Sequence, residues 1–77
     1  MGLTFGMSGD DVTIRWIVSG AETGGLQVGD VVKTIDGATV LDPGEARRRE
    51  LGAPGTHVTF AVLRGAQPHT VTLTRAP

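Results

Sequence analysis

Acid–base or nucleophilic chemistry in this 77-residue chain would have to be built from His57, His69, Ser8, Ser19 and acidic residues such as the adjacent pair Asp10-Asp11. Nucleophilic catalysis needs a base beside the serine and a third group to orient that base. Both histidines fall in or beside strands of the last third of the chain, and both serines fall in turns near its start. Neither a G-x-S-x-G elbow nor an H-E-x-x-H pair occurs, and two separated histidines are a poor start for a metal site. The Asp10-Asp11 side chains diverge on a strand and converge only in a turn. Asp30 and Asp36 precede or begin turns and read more simply as turn chemistry. A non-catalytic domain without a cofactor is the expectation.

A second candidate is Gly2-Leu3-Thr4-Phe5-Gly6-Met7. One reading is an edge strand with glycines that relieve crowding. The other is a loop whose successive N–H groups form a concavity for an anion such as a carboxylate. The third is Arg47-Arg48-Arg49, which could meet nucleic acid or could be the solvated C-terminal half of a helix, complementing its dipole. Seven basic against eight acidic residues leave a net charge of −1, which favours the solvated helix and argues against nucleic acid.

The element that must position these groups is the stretch Gly25-Leu26-Gln27-Val28-Gly29-Asp30-Val31-Val32-Lys33-Thr34-Ile35-Asp36-Gly37. Leu26 and Val28 alternate toward an interior, and Gly29-Asp30 turns the chain into a β-branched strand. Asp36-Gly37 closes that strand with residues that tolerate positive φ. The spacing G-L-x-x-G-D-x-V-x-x-I-D-G resembles the internal signature of PDZ domains. The G-Φ-x-Φ of residues 2–5 is similar to the carboxylate-binding loop of that family, with Thr4 where glycine is usual and only Met1 ahead of it. The segment G-x-x-G-T-x-V over residues 52–58 resembles bacterial PDZ domains attached to proteases.

The other elements follow from period and punctuation. Val12, Ile14, Trp16 and Val18 alternate as a strand; Trp16 reads as a packing residue, with a ligand platform as the alternative. Residues 19–24 form a glycine-rich connection of one helical turn at most. Residues 38–40 make a minimal strand. Asp42-Pro43-Gly44-Glu45 is a helix start with cap, N1 proline and capping-box glutamate. That spacing predicts a helix over 43–51 stopping at Gly52, with Pro54 beyond. Residues 56–63 and 69–75 alternate as two strands joined through Arg64-Gly65-Ala66-Gln67. The expected core is Leu26, Val28, Val31, Ile35, Val40, Val58, Phe60, Val62, Val71 and Leu73.

Length implies one domain over residues 1–77 with a modest core, stable by about 3–5 kcal/mol. Twelve glycines and four prolines suit short elements joined by turns. Without cysteine there are neither disulfides nor thiolate metal sites. No apolar run approaches the ~18 residues of a membrane span, so no membrane insertion is expected. The chain opens almost directly in a strand pattern, as a segment of a longer protein would.

The resemblance implies a mostly β fold with one helix, a small partly open barrel of five to six strands whose first strand is absent or truncated. It implies a binding module that takes a peptide or protein C-terminus as an added strand. The groove would lie between Gly2, Leu3, Thr4, Phe5, Gly6 and Met7 on one side and Ala46, Arg47, Glu50 and Leu51 on the other. By the same resemblance the parent is a bacterial envelope or secreted protease whose substrates or activity this module governs. The competing expectation is a packing domain that binds no free peptide. As an isolated domain a monomer is expected.

Overall fold

The computed structural model describes residues 2–18 and 23–75. The connection expected over residues 19–24 lies mostly outside them. In chain order the elements are β1 (Leu3–Ser8), β2 (Asp11–Ile17), β3 (Val31–Ile35), β4 (Ala38–Thr39), α1 (Pro43–Glu50), β5 (His57–Arg64) and β6 (Gln67–Thr74). The six strands form one antiparallel sheet in the order β1-β2-β3-β5-β6, with β4 also pairing β3. The fold is mostly β with one helix, as expected, but the sheet stays open and does not close into a barrel.

Local chemistry accounts for the connections. Asp36 (φ 52) and Gly37 (φ 79) link β3 to β4 as a two-residue hairpin with both central residues left-handed, the geometry that matches strand twist. Asp42 caps α1 by accepting from the Glu45 N–H at 2.8 Å, and Pro43 follows it in the first turn. The Glu45 carboxylate accepts from Arg49 Nε one turn on, at 3.3 Å. The helix stops one residue earlier than expected, because Leu51 is extended. No left-handed glycine ends it. The Arg75 side chain takes that place, donating to the carbonyls of Arg49 (2.9 Å) and Glu50 (2.9 Å) and so satisfying two of the orphan acceptors of the last turn. A Cβ on Gly52 would lie 2.6 Å from Arg75 Nε, so glycine is there to admit the guanidinium.

The core joins Leu3, Val12, Ile14, Leu26, Val32, Ile35, Val40, Ala46, Val58, Phe60, Val62 and Leu73. Three expectations are corrected. Val28 is 60 % exposed in the turn before β3, and Val31 gives its buried place to Val32. Trp16 is not a packing residue but is 65 % exposed, and Val18 is half-exposed beside it. The cause is the same in both strands. Thr4 pairs with Trp16 but Phe5 with Ile14, so Arg15 is an extra residue in β2. Likewise Val32 pairs with Val62 and Thr34 with Ala61, leaving Lys33 extra in β3. A bulge flips every later side chain to the other face. Ile17 therefore packs on the core where Trp16 was expected. Val71 is partly buried and packs against the core from β6.

Candidate functional site: the open edge of β1

β1 pairs only with β2, so its other edge has no strand partner among the described residues. Strand backbone groups alternate sides, and two contacts fix the phase. Gly2 C=O accepts from Val18 N–H at 2.8 Å, and Gly6 C=O from Thr13 Oγ1 at 3.5 Å, so both face β2. The N–H and C=O of Leu3, Phe5 and Met7 therefore face the open edge, while those of Thr4 face β2. Of the three amides expected to cradle a carboxylate, Leu3 and Phe5 share the open side.

α1 faces that edge. Between them lies a cleft of about 360 Å³ lined by Thr4, Phe5, Pro43, Gly44 and Arg47. Arg47 Nη1 crosses it to donate to Leu3 C=O at 3.1 Å, so Arg47 does not point away with Arg48. Behind it stands Glu50, 2 % exposed, with Oε1 3.8 Å from Arg47 Nη1 and no hydrogen-bond partner to Oε2. Burial pushes the Glu50 carboxyl above its ordinary range, against the pull of the Arg47 charge.

The expected helix residues divide. Ala46 is fully buried in the core and Glu50 is buried beside Arg47. Leu51, 61 % exposed, lines a separate polar cleft of about 410 Å³ with Ile35, Asp36, Glu45, Arg48 and Arg49. Leu3 sends its side chain into the core, and Phe5 is partly buried against it. The arginine run is thus spread over two clefts and an Arg49–Glu45 ion pair.

Three site features were not anticipated. Pro43 and Gly44 line the cleft as well as starting the helix. Arg15, the bulge residue of β2, folds over β1 and donates through Nη2 to Met7 C=O. Gly6 makes the crossing possible, since a Cβ there would lie 2.6 Å from Arg15 Cγ. The Arg15 bulge could have been sought in the neighbouring glycine, but a distant partner leaves no mark on periodicity.

Among the described residues no three His, Cys, Asp or Glu side chains group to hold a metal, and no helix is long and apolar enough to cross a membrane.

An unpaired strand edge facing a helix across a cleft is the architecture of a protein-interaction module. The family model described as "PDZ domain" matches residues 1–74, and the chain belongs to that family. No curated protein matches the chain closely enough to count as a relative.

Proposed function

We propose that this domain captures a peptide segment, a free C-terminus by preference, as an added strand on the open edge of β1. The supporting observation is the outward-facing backbone of Leu3, Phe5 and Met7 opposite α1, across a cleft of about 360 Å³. The edge supplies sequence-independent hydrogen bonds, and side chains lining the cleft supply selectivity. The terminal carboxylate docks at the start of β1, on the open-side amides of Leu3 and Phe5, while the Thr4 amide stays with β2. Arg47 selects for an acidic or hydroxyl side chain two residues before the terminus, since a guanidinium forks onto a carboxylate. That preference is worth about 1 kcal/mol, because the charge stays partly in water.

The test is an amide-shift titration with a free-carboxyl peptide and its C-terminally amidated twin. Shifts at Leu3 and Phe5 that weaken on amidation are expected. Equal shifts from the two forms would remove the carboxylate and leave strand addition alone. A peptide array read with wild type and Arg47→Ala checks the selectivity. The preference for acidic residues should fall in the variant.

The setting we propose is a bacterial protease, in the envelope or secreted, for which the module recruits substrate or regulates activity. It is supported by the likeness of residues 52–58 to protease-attached relatives, and the sequence flanking the segment in its full-length protein tests it. A second reading, a packing domain that takes no free peptide, is favoured by the exposed Leu41 and Leu51 beside α1. Sedimentation of the isolated domain, where we expect a monomer, and the same titration separate the two.

A further inference from the structure

The open edge of β1 is not empty. Two guanidinium groups reach it from opposite sides, Arg47 from α1 onto Leu3 C=O and Arg15 from β2 onto Met7 C=O. They are held differently. Arg47 is backed by the buried Glu50 carboxylate, whereas Arg15 is exposed and forms no ion pair among the described residues. A strand adding to this edge places its own N–H at Met7 C=O, where it competes with the Arg15 guanidinium for the same acceptor.

Resting on the reading above, we propose that Arg15 closes the edge of β1 in the empty domain and opens it by moving its guanidinium onto a carboxylate side chain of the incoming peptide. A neutral peptide exchanges one hydrogen bond for another and leaves Arg15 to water. An acidic peptide replaces the guanidinium–carbonyl bond with one in which both partners are ionised and which can be bidentate. The Arg15 stem lies over Gly6, on the face of β1. Alternate side chains of an added strand point to opposite faces, so the acidic residue that engages Arg15 is out of step with the one that engages Arg47. Acidic residues at adjacent or odd-spaced positions near the terminus would then engage both arginines.

The probe is a free-carboxyl alanine pentapeptide with one glutamate stepped along it, and its glutamine counterparts, titrated against wild type, Arg15→Ala and Arg15→Glu. Wild type should favour glutamate over glutamine at one position out of step with the Arg47 site. Arg15→Ala should lose that preference and bind the glutamine peptide about fivefold more tightly, the worth of one net hydrogen bond released from competition. Arg15→Glu should reverse the preference. An unchanged glutamate-to-glutamine ratio in Arg15→Ala overturns the proposal. A separate reading needs no ligand: the Met7 carbonyl ¹³C shift should move in free Arg15→Ala. If it does not, the closure is wrong even where peptide still binds. If that shift moves but no peptide binds to any of the three proteins, strand capture itself fails and this inference with it.

Discussion

Among the described residues two carboxylates are buried, Asp30 and Glu50, and they are held in opposite ways. Asp30, 1 % exposed, has both oxygens engaged. Oδ1 accepts from Arg64 Nε at 2.9 Å, and Oδ2 from Arg64 Nη2 and from the Gln27 N–H, each at 2.9 Å. The same guanidinium donates to Gly25 C=O at 2.8 Å, so one arginine on β5 ties down the whole turn before β3. Glu50 is equally deep but has a guanidinium at one oxygen, beyond hydrogen-bond distance, and nothing at the other. The Arg64 hydrogen bonds hold Asp30 below its ordinary range, whereas burial drives Glu50 above it. At equal depth the difference is the donors: where they saturate the carboxylate they outweigh burial, and where they are missing burial prevails. The saturated carboxylate belongs to the framework, and the under-saturated one stands beside the open edge of β1.

The contrast can be broken most forcefully at Asp30. Asp30→Asn removes one charge of a bidentate pair and should cost about 3 kcal/mol, most of the margin of so small a domain. Urea unfolding measures it, and a loss below about 1 kcal/mol would place Arg64 in the class of solvated pairs. At Glu50 the sign should invert. Glu50→Met removes a buried charge with an unpartnered oxygen at similar volume and should stabilise by about 1 kcal/mol in the same experiment. A clear destabilisation would show that Arg47 depends on the carboxylate more than the 3.8 Å separation suggests.

The smallest effect lies in pH. Glu50 has its folded value raised from 4.5, so its contribution is complete below pH 4.5 and is lost as pH rises through the raised value. Asp30 has its folded value lowered from 3.8, so its contribution is complete above pH 3.8 and is lost as pH falls through the lowered value. Stability curves of Glu50→Gln should lack the decline above pH 4.5, and those of Asp30→Asn should lose part of the acid limb. Parallel curves for all three proteins would mean that neither group carries the linkage.

Where turn chemistry rules, the fold was legible from residue types. Asp36-Gly37, the Asp42-Pro43 cap and the β5–β6 hairpin all stand where their residues put them, and the alternating Val58, Phe60 and Val62 are all buried. Period-two counting failed at two points, Arg15 and Lys33, because a bulge changes phase without changing composition. Trp16 and Val31 were misread for that reason alone. Of the candidate site, β1 and α1 stand in the order their residues suggested, whereas the residue types left open whether Arg47 turns toward β1 or outward with Arg48. The sequence could not show Ala46 in the core or Leu51 on another cleft, since both depend on how far the helix rotates against the sheet. The reach of Arg15, Arg64 and Arg75 was invisible for a simpler reason. A long side chain chooses its partners only after distant segments have met.

Arg75 makes one such choice. Its N–H donates to the C=O of Thr56, the residue before β5, at 2.7 Å, while its guanidinium holds the last turn of α1 and approaches Asp36 Oδ2 at 3.5 Å. The end of the helix that walls the cleft is thus finished by a side chain from beyond β6, and the last turn of α1 depends on the far edge of the sheet for two of its acceptors.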